Sequence, residues 1–196
     1  MKLVAGVDQV GRGSAAGPVT VCAYIAEISD TKLLEMGVRD SKKIGKKEVL
    51  YALAPKLKSC AIAYSIASIS SEVIDEVGID NAVWLAMVQA IAQLSVQPDE
   101  VVVDGKRIIP GLQIPQRAIV GGDASVPAIG AASIIAKADR DSLMIELAKQ
   151  YPLYKWEKNK GYFTEDHHAA IRLHGLTPLH RTSFRNIKFY RRIAAR

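Results

Sequence analysis

The run Val101-Val102-Val103-Asp104-Gly105 constrains the fold more than any other stretch of this chain. Three valines in a row, set off by Pro98-Asp99-Glu100, leave no polar face for solvent. The segment therefore reads as a strand covered on both sides, as in parallel sheets, and the chain is expected to be α/β. Asp104 then stands at the carboxyl end of a strand, the edge where open α/β sheets bind ligands.

Two other acids fall in similar places. The apolar run Leu3 to Val7 delivers Asp8 to the end of a first strand, and Arg117-Ala118-Ile119-Val120 leads through Gly121-Gly122 to Asp123. Between them, Val19 to Ala26 reads as a second strand and 59–68 as a third. A helix is expected over 46–58 on the spacing of Val49, Leu50, Leu53 and Leu57, with Pro55 unsettling its last turn. A short capped helix follows at 70–75. A longer one runs to about Leu94, with a stripe of Ala82, Leu85, Ala86, Val88, Ile91 and Ala92 toward the sheet. Trp84 and Met87 read as core or groove lining. From Ala128 to about Gln150 a helix begins with small residues, Gly130-Ala131-Ala132-Ser133, that allow close approach.

The character changes after residue 150. Tyr151 to Trp156 is an aromatic loop, and Lys158-Asn159-Lys160-Gly161-Tyr162 is basic with an aromatic tip, the mixture that stacking on a sugar or base requires. Thr164 caps a helix through Leu173, and another runs from about Ser183. We expect a body over 1–150 and a helical substrate-binding lobe over 151–196 that is not an independent domain.

Asp8 is followed by Gln9-Val10-Gly11-Arg12-Gly13. Glycines on both sides let the backbone lie close to a ligand, which would put the guanidinium of Arg12 within reach of a phosphate or sugar. A dinucleotide-binding turn is disfavoured, because a strand and not a helix follows. A plain glycine-rich hairpin remains the simplest account of the stretch by itself. The net charge of +6 and pI near 9.3 lean toward an anionic partner without requiring one. With 49% hydrophobic residues the chain is not disordered. Cys22 and Cys60 lie in apolar runs and read as buried thiols in a reducing cytosol, and no run is long enough to span a membrane.

Converging carboxylates of Asp8, Asp104 and Asp123 would repel one another unless divalent cations neutralised them. Oxygen-only donors point to Mg²⁺ or Mn²⁺, two of which serve phosphodiester hydrolysis.

Taken in order, the motifs resemble ribonuclease HII, the type 2 ribonuclease H, over essentially the whole length. They are Gly6-Val7-Asp8-x-Val10-Gly11-Arg12-Gly13 with Ala16-Gly17-Pro18-Val19; Asp40-Ser41-Lys42-Lys43; Val103-Asp104-Gly105; and Gly122-Asp123. Then come Ala131 to Lys137 with Arg140-Asp141, Asn159-Lys160-Gly161-Tyr162, and His180-Arg181-x-Ser183-Phe184. The resemblance implies a ribonuclease H-like fold, a mixed central sheet flanked by helices with a small C-terminal helical lobe. It implies hydrolysis of the RNA strand in RNA/DNA hybrids and nicking 5′ of ribonucleotides embedded in duplex DNA, leaving 3′-hydroxyl and 5′-phosphate ends. Gly11-Arg12-Gly13 would sense the 2′-hydroxyl, Tyr162 would stack on the adjoining deoxyribose, and Lys42, Ser133 and Lys137 would hold phosphates. A monomer acting in the cytoplasm, in replication and ribonucleotide excision repair, is expected. The C-terminus shows no clear clamp peptide, so protein partners stay unassigned.

One position departs from the family pattern. The second of its four carboxylates, a glutamate directly after the first aspartate, is Gln9 here. The amide removes a charge from the metal site, and loss of such a group commonly costs on the order of 10²-fold or more in rate. Two explanations stand: a substitution introduced to hold substrate uncut, or a natural loss that leaves a weak nuclease or a catalytically silent RNA-DNA junction binder.

Overall fold

The computed structural model describes residues 2–26, 29–38 and 47–194. The Asp40-Ser41-Lys42-Lys43 motif, and with it the expected phosphate contact of Lys42, lies outside them.

In chain order the elements are β1 (Val4–Val10), β2 (Val19–Ala26), α1 (Asp30–Glu35), α2 (Lys47–Ser59), β3 (Ala61–Ile69), α3 (Ser71–Val77) and α4 (Ile79–Ala92). They continue with β4 (Glu100–Asp104), β5 (Gln116–Ile119), the single turn α5 (Gly122–Ser125) and the long α6 (Pro127–Gln150). A 3-10 turn (Pro152–Tyr154), α7 (Trp156–Asn159), α8 (Glu165–His174) and α9 (Arg185–Ala194) complete the chain. The strands form one mixed sheet in the order β3-β2-β1-β4-β5. β1, β2 and β3 are antiparallel neighbours, whereas β4 and β5 join β1 in parallel, as the valine run of β4 predicted.

Apolar residues cover both faces of the sheet. Ala5, Val7, Val101 and Val103 pack with Ala82, Val83, Ala86 and Met87 of α4 on one side. Cys22 and Tyr24 pack with Leu50, Leu53 and Leu57 of α2 and Ala131 to Ala136 of α6 on the other. The small residues of α6 have a clear use. A methyl group on Gly6 would collide with the backbone of Ala128 and Ile129, so the helix rests directly on the central strand. A third core joins Tyr154, Trp156, Ile171 and Ile187 of the C-terminal helices to Ala15, Ala16 and Met144.

Several local expectations need correction. β1 runs past Asp8 to Val10 instead of ending at Asp8, because Gln9 and Val10 still pair with β2, at Val21 and Thr20. The buried stripe of α4 is rotated: Val83, Met87 and Ala90 face the core, while Leu85 and Val88 are exposed. From Ala82 to Val88 the helix is wholly apolar, which leaves no polar face there to settle its rotation from sequence. α2 accommodates Pro55 and extends to Ser59, which delays β3 to Ala61. Cys60, expected to be buried, is only half-buried. Tyr154 and Trp156 are interior residues of the lobe and are not available for stacking.

Candidate active site

Successive residues of a strand point to opposite faces. Asp8 follows Gly6 toward α6, where it accepts a hydrogen bond from Ser133, and Gln9 follows Ala5 and Val7 toward α4. Asp8 is 5% exposed and also accepts from the Gln9 backbone N–H at 2.7 Å. Burial pushes its carboxyl up to about 7. The Ser133 hydrogen bond opposes that rise, the charge of Asp104 adds to it, and Asp123 adds a little more.

Asp104 closes β4, and its Oδ1 accepts the Gly122 N–H at 2.8 Å. Asp123, expected at a strand end, sits instead on α5 and is buried. The glycines before it explain this: Gly121 takes a left-handed turn, φ 67°, that turns the chain from β5 into the helix.

Asp8, Gln9 and Asp104 line a cavity of about 250 Å³ together with Gly11, Arg12, Gly13, Ser133, Lys137 and Tyr162. Asp123 is outside that lining and reaches Asp8 through its charge. A second cavity of about 310 Å³ shares Gln9, Arg12 and Asp104 with the first and extends toward α4. A larger one, about 520 Å³, opens between α8 and α9, but its walls carry no carboxylate. The acids, not the volume, single out the smaller cavity.

The Gly11–Gly13 loop is held from below by two buried arginines. Arg140 donates to the carbonyls of Pro18 (2.8 Å), Lys160 (3.0 Å) and Ala16 (3.3 Å). Arg181 donates to those of Gly17 (2.9 Å) and Arg12 (3.0 Å). At Gly11, φ 82°, any side chain would strike the Arg140 guanidinium. Burial lowers the basicity of both; Arg181, which also faces Arg140, falls to about 9 and stays charged at neutral pH. Gly161 O accepts from Ala15 N and Ala16 N, which ties the loop to the Lys160–Tyr162 segment.

Tyr162 is 38% exposed, and its ring lies 5.7 Å from the Arg140 guanidinium. Its carbonyl accepts from His167 Nδ1 at 2.9 Å. Behind it, His167 Nε2 accepts from Trp156 Nε1 and from His180 Nε2, each at 3.1 Å, while His180 Nδ1 accepts from Thr177 N at 2.9 Å. This chain of donors closes only with both imidazoles neutral. Burial lowers the basicity of both, and His180, also facing His167, falls to about 4.

Two cations named from the sequence are already paired. Arg12 Nη2 lies 2.5 Å from Asp80 Oδ1, and Lys137 Nζ lies 2.5 and 2.6 Å from the two oxygens of buried Asp141. The Arg12 hydrogen bond holds the Asp80 carboxyl below its usual range, with help from Arg107.

Among the described residues, no group of three or more His, Cys, Asp or Glu side chains is gathered closely enough to ligate one ion. The donor set nevertheless suits a hard divalent cation: carboxylates and an amide oxygen, with no thiol or imidazole at hand. Burial disfavours the charged form of Asp8, and a cation beside it would offset that cost.

Residues 5–187 match the family model described as Ribonuclease HII. The chain belongs to the ribonuclease HII family. A ribonuclease HII of Endomicrobium trichonymphae is 44% identical over 183 residues, covering 92% of this chain and 84% of that protein. One from Marinomonas sp. (strain MWYL1) is 46% identical over 186 residues, covering 95% and 92%. The fold matches the ribonuclease H2 of Pyrococcus horikoshii OT3 with a TM-score of 0.84 at 23% identity, over 99% of each chain. It also matches Bst-RNase HIII in complex with Mn²⁺ with a TM-score of 0.72 at 18% identity, over 98% of this chain and 70% of that one. A further match is the ribonuclease HII of Archaeoglobus fulgidus solved in complex with PCNA, with a TM-score of 0.78 at 22% identity, over 93% and 95%.

Membership of this family makes the chain a ribonuclease H by descent, with the ribonuclease H-like fold expected from its motifs. Reading the sequence assigned no role to Arg140, Arg181 or Asp80. The first two stand in the family motifs, but nothing in sequence reveals that an arginine is buried against backbone carbonyls. Asp80 had no signal at all.

Proposed function

We propose that the chain is an endonuclease that cuts the RNA strand of RNA/DNA hybrids and nicks duplex DNA on the 5′ side of embedded ribonucleotides. Gln9 weakens or abolishes that activity. The observation that carries this reading is the single cavity where Asp8, Gln9 and Asp104 meet the Gly11–Gly13 loop, Ser133, Lys137 and Tyr162. Asp8, Asp104, Asp123 and the Gln9 amide oxygen would hold Mg²⁺ or Mn²⁺, in keeping with the Mn²⁺ complex of a ribonuclease HIII of the same fold. Bound there, divalent cations supply the charge that activates water and stabilises the leaving oxygen.

The remaining roles belong to the chain itself. Ser133 fixes the orientation of Asp8, and Lys137, presented by Asp141, neutralises a phosphate. The Gly11-Arg12-Gly13 backbone meets the 2′-hydroxyl, and Tyr162 packs on the neighbouring deoxyribose. Residues 151–196 form the substrate-binding lobe. In this reading the protein works as a cytoplasmic monomer in ribonucleotide excision repair and replication, and a sliding clamp is the partner class to test, given the PCNA complex of the Archaeoglobus protein. Gln9 favours one competing reading, a junction binder without catalysis.

Binding separates both readings from generic attraction to polyanions. The chain should prefer duplex DNA with one ribonucleotide over all-DNA duplex at matched salt, and Tyr162→Ala should reduce that preference by about 1–3 kcal/mol. Equal affinities for the two duplexes would contradict both.

A further inference from the structure

The cavity toward α4 adjoins the one lined by Tyr162, and the two share Gln9, Arg12 and Asp104. Its walls include Trp84, Met87, Lys106 and Arg107. The Arg107 guanidinium lies 5.3 Å from the Trp84 ring, and its side chain is 62% exposed. Asp80, in the first turn of α4, stands between two arginines: Oδ1 is 2.5 Å from Arg12 Nη2 and Oδ2 is 3.2 Å from Arg107 Nη2. One carboxylate ion-paired to Arg12 and hydrogen-bonded to Arg107 beside an open cavity holds the place and charge that a bound phosphate would take.

We propose that this groove is a second nucleic-acid subsite, in which a phosphodiester of the substrate strand replaces the Asp80 carboxylate between Arg12 and Arg107. Trp84, already covered by one guanidinium, offers the apolar wall against which the adjoining sugar or base packs. The strand would then run from Tyr162 past the carboxylates to Trp84, and contact on both sides would hold the scissile bond. Asp80 acts as a built-in competitor. It keeps the two arginines ordered without substrate, and it subtracts from the affinity of any strand that must displace it. The pair itself is exposed, so its loss should cost the fold little.

The subsite rests on the proposed function, and its test separates the two. Binding of a duplex with one ribonucleotide, and of its all-DNA counterpart, is measured across salt for four proteins: the parent, Asp80→Asn, Arg107→Ala and the double variant. Asp80→Asn should tighten binding of both duplexes about 3- to 10-fold and steepen the salt dependence, as expected for one additional phosphate contact. Arg107→Ala should weaken binding and cancel most of the gain from Asp80→Asn. Glu35→Gln, the same charge change on α1 and outside both cavities, should leave affinity within twofold. The subsite is overturned if Asp80→Asn matches the parent, if Glu35→Gln tightens binding equally, or if the gain survives without Arg107. A parent that prefers the ribonucleotide duplex while Asp80→Asn changes nothing sinks the subsite alone. A parent with no preference sinks the proposed function as well.

Discussion

Arg140 offers the sharpest view of how the site is held. It is fully buried, and its guanidinium serves three carbonyls, those of Pro18, Lys160 and Ala16. Arg140→Met keeps much of the side-chain volume but leaves all three acceptors without that donor. Each buried acceptor left unpaired costs about 1–3 kcal/mol. Against this, the variant no longer buries a guanidinium with no carboxylate hydrogen-bonded to it, which returns several kcal/mol. Three such acceptors cost about 3–9 kcal/mol against a return of about 3, so the balance should be a loss of up to about 6 kcal/mol. Domain stabilities are about 5–15 kcal/mol, so the variant should fold marginally, with a clearly lower urea midpoint and an unchanged slope. Arg140→Lys should fall between, since one ammonium cannot reach three carbonyls in a fixed fork. Because the same guanidinium joins the Gly11–Pro18 loop to the Lys160–Tyr162 segment, the preference for a ribonucleotide should shrink even where Arg140→Met remains folded. A parental midpoint together with a parental preference would refute the reasoning.

Two further outcomes follow from the same contacts. Gly6→Ala should destabilise by about 1–3 kcal/mol or more by pressing α6 off β1, and should misplace Ser133 relative to Asp8, read as a lower thermal midpoint and weaker cleavage by the Gln9→Glu protein. The acid response should combine two opposite terms. His180, depressed to about 4, contributes stability that is full above its unfolded value near 6.5 and is lost as pH falls toward 4, on the order of 3 kcal/mol. Asp8, raised to about 7, contributes stability that is full below its unfolded value near 3.8 and is lost as pH rises through 7. Without metal, Asp8→Asn should therefore stabilise the fold at pH 8 and expose a steeper loss between pH 6.5 and 4 by chemical denaturation. A variant with the parental pH profile would contradict the Asp8 assignment, and an Asp8→Asn protein whose stability is flat between pH 6.5 and 4 would contradict that of His180.

Much of this was legible in the sequence for simple physical reasons. The valine run of β4 could only be a covered strand, and Ser70 and Thr164 announced their helices as caps that accept from Val73 N and His167 N. Asp8, Asp104 and the glycine-flanked loop were found together because acids and glycines at strand ends are local signals. What escaped were relations between distant residues. The rotation of α4 was hidden because its residues are apolar nearly all round, so Leu85 could not be told from Met87. Asp80 meets Arg12 across the fold, and the aromatic run from Tyr151 to Trp156 gave no sign that Trp156 would bury its indole N–H against His167. Gln9 was legible as a departure from the family pattern, but its place in the walls of both cavities depended on how far β1 extends.

The central claim is that this is a ribonuclease HII site complete but for one charge, and one assay tests it directly. The parent and Gln9→Glu are incubated with a labelled duplex carrying a single ribonucleotide, in Mg²⁺ and in Mn²⁺, and the cut ends are mapped. The parent should cleave weakly or not at all. Gln9→Glu, with the charge restored at the same side-chain length, should cleave at least about 10²-fold faster, 5′ of the ribonucleotide, leaving a 3′-hydroxyl. A parent as active as Gln9→Glu, or a folded and binding Gln9→Glu protein that does not cut, would contradict the account.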